Sequence, residues 1–290
     1  MDNIGIITNN DNIKALNIAK DIYDYLILKQ IKVFLLDNDG LAKKHLLSAV
    51  SKDEFEKNID CLISVGGDGT FLRAAKHVFK SGKPMMGVNV GDLGFLAEIN
   101  ISDMYDSLDK IINGNFEIEK RMLISGILLR EKEQIDKNNS PYLALNDFVI
   151  TKSMLEKIIQ IRIIINGIPI LNYGADGVII STPTGSTAYS LSAGGPVVEP
   201  KNESIVITPI CPHTLFSRSL VLSPDNQIEI QINSKNTEVS LNIDGKKSDV
   251  QIADQDIFKV EKSKYKLNLI TFNKNIFFKI FKDKLIKKED

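Results

Sequence analysis

The chain has no tryptophan, only two cysteines, Cys61 and Cys211, and an aromatic share of 7%. The cysteines stand 150 positions apart with no CxxC spacing, which argues against a disulfide framework and against a zinc site. No apolar run approaches the roughly 18 residues of a membrane span. No basic segment followed by a long apolar stretch precedes Ile4-Gly5-Ile6-Ile7, so a secretory leader is not expected. Charge of either sign is not in excess: the net charge is −1, which gives no general attraction to nucleic acid or to an anionic membrane. Internal repeats and Pro- or Ser-rich linkers are also missing. Together these absences lead to the expectation of a soluble, cytoplasmic protein whose parts pack closely.

What is present is the composition of an ordinary globular protein, 43% hydrophobic and 25% charged over 290 residues, enough for one large domain or two moderate ones. Residues 4–8 read as a buried strand, and 12–30 as an amphipathic helix with Asp11 or Asn12 as its cap. Strands follow at 32–37, 60–65 and 84–89, with helical spacing in 41–57, 70–80 and 102–113, the last capped by Ser102 and ended at Gly114. Strands alternating with helices at this spacing argue for a parallel, helix-flanked sheet. From Phe116 onward the period changes to two, as in Ile228, Ile230, Ile232 and in Val239, Leu241, Ile243. Asn166-Gly167 and Asp244-Gly245 lie between such runs, a strong hairpin signal. The expectation is an α/β domain over 1–115, a mainly antiparallel β domain over 116–274, a protruding polar loop at 131–140, and a tail from 275 packing back on the first domain as strand or helix.

Two stretches are dense enough to carry chemistry. In the first, strand 60–65 stops at Gly66-Gly67-Asp68-Gly69-Thr70 and a helix begins near Thr70. Glycines there permit positive φ and leave room for a close-approaching group, and amides at a helix start favour an anion. An acid in such a turn needs a reason: a metal, a base role or a sugar hydroxyl. The plain alternative is a strand-to-helix turn with a capping Asp. The turn is neither a GxxxxGK[ST] loop nor a full dinucleotide fingerprint, since Leu72 stands at the third glycine position.

The second is Gly174-Ala175-Asp176 followed by a strand at 177–181 and then Thr182-Pro183-Thr184-Gly185-Ser186-Thr187-Ala188-Tyr189-Ser190-Leu191-Ser192. Hydroxyls and free amides at the start of a short helix near Ser186 suit phosphates or a ribose. The plain reading is a turn with several caps. GxSxG is missing, which disfavours a hydrolase elbow. Asn146-Asp147 could meet a base or a metal, or form an Asx-turn. His213 reads as a structural histidine more readily than a catalyst, His45 and His77 carry no role, and Tyr189 either stacks on a ring or packs in the core.

Taken in order, Gly66–Thr70, Gly91-Asp92-Leu93-Gly94-Phe95-Leu96, Asn146-Asp147, the segment 176–196 and Pro209-Ile210-Cys211-Pro212-His213 resemble the successive signatures of the ATP-dependent NAD kinases, over about 65–215. The first turn alone is shared with diacylglycerol- and sphingosine-type kinases and phosphofructokinases; the long 176–196 run is far more specific. The resemblance implies an NAD kinase-like two-domain fold, with a Rossmann-like parallel sheet and a β-sandwich-like second domain. It implies transfer of the γ-phosphate of ATP to the adenosine-ribose 2′-hydroxyl of NAD, a divalent ion such as Mg²⁺, and a homodimer or homotetramer. Asp68 would be the proton acceptor, with Gly66, Gly67, Gly69, Thr70 and Arg73 forming the phosphate loop. Phe95 would lie near the adenine. Asn146 and Asp147 would hold ribose hydroxyls and the nicotinamide side, although relatives often carry Glu at the second position. Asp176 would approach the carboxamide, and Thr187, Ala188, Tyr189, Ser190, Leu191 and Ser192 would contact adenine and ribose, some across a subunit boundary. Lys157 and Gly174 stand where some relatives carry a basic residue.

The chemistry is consistent with these roles without the family. A ribose hydroxyl is a poor nucleophile, so Asp68 would orient it and accept its proton as the new bond forms. Positioning and neutralisation of phosphate charge would supply most of the acceleration. Two competing classes are a lipid kinase, which would want a greasier acceptor cleft than 181–192 offers, and a non-catalytic dinucleotide sensor, which would not need Asp68.

Overall fold

The structure is a computed structural model that describes residues 1–91, 93–136, 141–153, 156–215, 217–235, 237–273 and 275–286. Its chain forms two units, one of Met1–Lys120 with Leu267–Asp290, the other of Arg121–Lys266. These seams fall inside two long strands, Glu117–Arg130 and Ile257–Thr271, each of which begins in one unit and ends in the other, and so lie at different places from the expected 115/116 and 274/275.

In the first unit, β1 (Asn3–Thr8), α1 (Ile13–Leu28), β2 (Lys32–Leu35), α2 (Gly40–His45), α3 (Lys52–Asn58), β3 (Cys61–Gly66), α4 (Asp68–Ala75), β4 (Met85–Asn89), β5 (Ile99–Asn100) and α5 (Met104–Ile112) follow in order. The strands pair in parallel in the order β4-β3-β1-β2, and β5 adds to the free side of β4. β1 thus has its neighbours on opposite sides, and the connections leave the carboxyl ends of β1 and β3 in different directions. Ligands of open α/β sheets bind at such a switch point. β3 is buried at every position, as a strand covered on both faces must be.

α1 buries Ala15, Leu16, Ala19, Ile22 and Leu26, a stripe at helical spacing, and Asn12 rather than Asp11 caps it by accepting from the Ala15 amide. The helical spacing of 41–57 resolves into two short helices, α2 and α3. α5 starts at Met104 after a 3₁₀ turn over Ile101–Asp103, so Ser102 is not its cap.

The second unit is built by β6 (Glu117–Arg130), β7 (Glu133–Gln134), β8 (Tyr142–Ala144), β9 (Asp147–Lys152), β10 (Ile159–Ile165), β11 (Ile168–Ala175), β12 (Gly177–Ser181), α6 (Tyr189–Ser192), β13 (Ile205–Ile210), β14 (Leu220–Leu222), β15 (Ile228–Asn233), β16 (Val239–Ile243), β17 (Lys246–Ile252) and the first part of β18 (Ile257–Thr271). One antiparallel sheet runs β14-β13-β12-β9-β16-β17. It shares a core with a second layer in which β11, β10, β15 and β18 pair antiparallel. β15 alternates buried and half-buried residues, sending its three isoleucines into that core. The two hairpin turns are as expected: Asn166-Gly167 has φ of 49° and 79°, and Asp244-Gly245 has 49° and 75°. Both dipeptides supply the left-handed residues that a two-residue hairpin turn needs. The loop expected at 131–140 begins with β7, and residues 137–140 lie outside the described residues.

The end of β18 returns to the first unit, where Leu269 pairs with Met85 in parallel. α7 (Ile276–Phe281) follows and runs into a π-helical turn over Lys282–Ile286, so the tail is helical.

Candidate active site

In the first unit the site begins at the carboxyl end of β3. α4 starts at Asp68, two residues earlier than Thr70, so Asp68 sits in the first helical turn, where the partial positive charge of the helix N-terminus favours an acid. The position that looked awkward for a carboxylate in the sequence is therefore a good one. Gly67 is the N-cap and extended (φ −104°, ψ −170°), and Gly69 is helical, so neither needs a left-handed backbone. Their use is space: a Cβ at Gly67 or at Gly69 would meet nothing within 4 Å. Gly66 ends β3, where a Cβ would lie 2.5 Å from Thr70 Oγ1. Thr70 is buried, and its amide donates to the Gly67 carbonyl.

The Asp68 carboxylate is held by the loop between β4 and β5. Oδ2 accepts from the Phe95 amide at 3.0 Å, and Oδ1 accepts from the Leu96 and Ala97 amides, each at 3.1 Å. Such an approach requires glycine at 94, since a Cβ there would fall 2.0 Å from Asp68 Oδ1. The sequence showed the motif at 91–96 but not this use of it; Asp92 lies outside the described residues. The partly buried Phe95 ring packs on Phe277 of α7, centroids 5.8 Å apart.

Arg73, in the last turn of α4, donates through Nη2 to the Thr8 carbonyl and lines a cavity of about 240 Å³ with Asn10, Asn38, Asp39 and His77. Asp39 accepts from the Thr8 amide and hydroxyl and from the Leu41 amide. Burial holds His77 below its ordinary pKa, against the opposing hydrogen bond to Glu56.

In the second unit, Asn146-Asp147 opens β9 and is fastened from two sides. The Asp244 carboxylate accepts from the amides of Leu145 (3.2 Å), Asn146 (2.7 Å) and Asp147 (3.3 Å). The Thr182 amide donates to the Asn146 carbonyl at 2.9 Å, and the Thr182 hydroxyl donates to the Leu145 carbonyl. Gly185 lies so close that a Cβ would be 2.1 Å from the Asn146 carbonyl oxygen. This backbone is fixed, yet one buried side-chain oxygen on it is not satisfied. Asn146 Oδ1 is buried without a hydrogen-bond partner. Asp147 is 3% exposed, and its pKa is pushed up to about 7, first by burial and then by the charge of Asp244. Asp244 was legible only as a hairpin residue; its reach to a segment about 100 positions earlier had no signal in the sequence.

The remaining expected residues divide. Thr187 ends a 3₁₀ turn over Thr184–Thr187, and Ala188 links it to α6, which Tyr189 opens with 47% exposure. Leu191 is half-buried and Ser192 exposed. Ser190 points inward, fully buried, with its hydroxyl 2.9 Å from that of Thr208. Gly174 is buried in β11, and its carbonyl accepts from the His213 amide at 2.8 Å; Lys157 is exposed just before β10. Asp176 stands apart. β9 and β12 run antiparallel with Asp147 opposite Ser181 and Thr151 opposite Gly177. Asp176 thus lies beyond the far end of β12, roughly 15–20 Å from the Asn146-Asp147 end. There it faces Lys152, 3.5 Å away.

A switch-point acid beside open glycines, and a β unit holding unsatisfied buried acceptors beside a hydroxyl-rich turn, define a nucleotide-handling enzyme. The family model of the ATP-NAD kinase N-terminal domain matches residues 4–116, and that of the ATP-NAD kinase C-terminal domain matches 145–272. The NAD kinase of Caldanaerobacter subterraneus subsp. tengcongensis is 38% identical over 288 residues, covering 99% of this chain and all of the relative. That of Lachnoclostridium phytofermentans is 39% identical over 284 residues, covering 96% and 97%. Among solved structures, yeast NADH kinase complexed with NADH superposes with a TM-score of 0.90 at 23% identity, covering 100% of this chain and 89% of the other. An NAD kinase from Archaeoglobus fulgidus in complex with ATP gives 0.76 at 25% identity, covering 96% and 97%. The chain belongs to the NAD kinase family, and its function is that of an NAD kinase. A lipid kinase and a non-catalytic sensor are not favoured.

Proposed function

We propose that the chain transfers the γ-phosphate of ATP to the adenosine-ribose 2′-hydroxyl of NAD⁺ with Asp68 as proton acceptor. The observation that carries this role is the Asp68 carboxylate fixed by three amides while the glycines on either side leave open space. A carboxylate so held is oriented before substrate arrives, which is where catalysis by positioning gains most. The 2′-oxygen attacks the γ-phosphorus, the bond to the β–γ bridging oxygen breaks, and Asp68 takes the hydroxyl proton as the new bond forms. Gly67 and Gly69 give the phosphates room at the start of α4, Gly66 and Thr70 pack together to shape the turn behind them, and Arg73 stands on the adjoining cavity wall.

Asn146 and Asp147 serve as acceptors for ribose hydroxyls: Asn146 presents a buried oxygen without a partner, and Asp147 a buried carboxyl next to it. Thr187, Ala188, Tyr189, Leu191 and Ser192 contact adenine and ribose. Ser190 supports them from within instead of touching the nucleotide, because its hydroxyl is engaged by Thr208. Among the described residues no three His, Cys, Asp or Glu side chains converge as a metal cage. A divalent ion such as Mg²⁺ would come bound to the triphosphate, whose charge it would neutralise.

We further propose a homodimer or homotetramer. The position of Asp176 beyond the far end of β12 favours its carboxamide contact being made to the dinucleotide of another copy. A cytoplasmic setting suits the two unpaired cysteines, of which Cys211 is exposed.

The test is incubation with Mg-ATP and NAD⁺ and detection of NADP⁺. No NADP⁺ from the wild-type chain would overturn the reading. Asp68→Asn should reduce turnover at least about 100-fold, within the range for loss of a general base. Turnover close to wild type in that variant would remove Asp68 from the mechanism.

A further inference from the structure

The three amides that hold Asp68 belong to a loop whose Val90 amide donates to the Gly66 carbonyl at 3.3 Å, whose Val90 carbonyl accepts from Lys14 Nζ at 3.0 Å, and whose Leu96 and Ala97 are buried. Between β4 and β5, Gly94 N–H donates to the Ala97 carbonyl at 3.3 Å, Asn89 Nδ2 donates to the same carbonyl at 3.4 Å, and Gly91 N–H donates to Asn89 Oδ1 at 2.7 Å. The first residue of the clamp, Phe95, is fastened instead by its ring, and its ring partners come from the chain terminus. Phe277 lies 5.8 Å from it at an interplanar angle of 46°, and Lys284 Nζ stands 5.8 Å from the ring centroid. Phe277 is itself braced by Phe278 at 5.4 Å and by Phe281, stacked at 6.2 Å. The helix carrying them is anchored by the buried Ile280. The strand before it is tied to the β5 region by the Thr271 hydroxyl, which donates to Glu98 Oε2 at 3.3 Å.

From this chain of contacts we propose that Phe277 is a positioning residue for Asp68. It holds the Phe95 ring, the ring holds the backbone of Phe95–Ala97, and that backbone fixes the carboxylate. The tail is then a working part of the active site although it touches no reacting atom. The proposal rests on Asp68 being the proton acceptor.

The test compares the full-length wild type with Phe277→Leu, which keeps apolar bulk without the ring, and with Phe277→Tyr, which keeps the ring. Two measurements are made: amide hydrogen exchange of the peptide spanning 93–98, and kcat with KM for Mg-ATP. An aromatic contact of this kind corresponds to a factor of about five in the open-to-closed balance of the loop. Phe277→Leu should therefore exchange at Phe95–Ala97 about fivefold faster and show a lower kcat, a loss that stays below about fivefold because the closed loop still predominates. KM for Mg-ATP should stay within about twofold, and Phe277→Tyr should restore both quantities. Unchanged exchange in Phe277→Leu, a kcat loss without faster exchange, or a rise in kcat would each overturn the proposal. If the wild type makes no NADP⁺, the assignment of Asp68 fails, while the exchange measurement alone decides whether Phe277 holds the loop.

Discussion

Replacing Asp147 by Asn should make stability less sensitive to pH, and the size of the effect follows from its burial. In the folded chain the carboxyl titrates near 7 instead of near 3.8, because burial, and then Asp244, disfavour its charge. A carboxyl whose pKa is raised by folding contributes stability that is fully present below the unfolded value, is lost as pH climbs, and is gone above the folded value. The window here is about pH 4 to 7. The full difference corresponds to about 4 kcal/mol, an upper bound that relaxation and water entry will reduce. The carboxamide of the variant has no proton to lose and escapes this change.

Urea unfolding of both proteins at pH 4, 5.5, 7 and 8.5, followed by circular dichroism, gives the comparison directly. The stability of Asp147→Asn minus that of the wild type should rise in favour of the variant by about 2–4 kcal/mol across the window and level off above it. Parallel pH profiles would refute the reasoning. A ribose hydroxyl bonds better to an ionised acceptor, so NAD⁺ affinity of the wild type should strengthen as pH passes 7. In the variant it should be nearly flat over that range.

Other substitutions separate space from chemistry. Gly94→Ala places a methyl 2.0 Å from Asp68 Oδ1 and should abolish activity with a measurable drop in melting temperature. Gly67→Ala meets nothing within 4 Å in the free protein, so its stability should stay within about 1 kcal/mol of wild type while KM for Mg-ATP rises. An unaltered KM would show that no phosphate approaches there. Ser190→Ala removes one of two partners of the Thr208 hydroxyl, leaving Ser219 at 3.1 Å, and should cost about 1 kcal/mol in urea unfolding, with KM for NAD⁺ unchanged. A several-fold rise in that KM would return Ser190 to the binding surface.

Much of this molecule was legible in the residue order because the causes are local. The apolar spacing of α1 and the alternation of β15 each report their own buried face within one element. Asn166-Gly167 and Asp244-Gly245 specify hairpin turns from two residues each, since few others tolerate the left-handed backbone. The long run at 176–196 was specific enough to name a family. Local reasoning also erred where local signals compete: helix α4 begins at Asp68, not Thr70, and the glycines at 67 and 69 provide room and not positive φ.

What only the tertiary structure decided are the interactions between residues far apart in the chain. Asp68 is identified by its motif, but the three amides that orient it are 27 to 29 positions away. Asp244 looks like a turn residue until its carboxylate is seen holding amides 97 to 99 positions earlier. The pKa of Asp147, the inward turn of Ser190 and the place of Asp176 at the far end of β12 depend on burial and strand register. The sequence by itself determined which residues could carry the chemistry, because residue type and short spacing set that. Their orientation, protonation and neighbours required the packed fold, because hydrogen bonds and desolvation act through space and not along the chain.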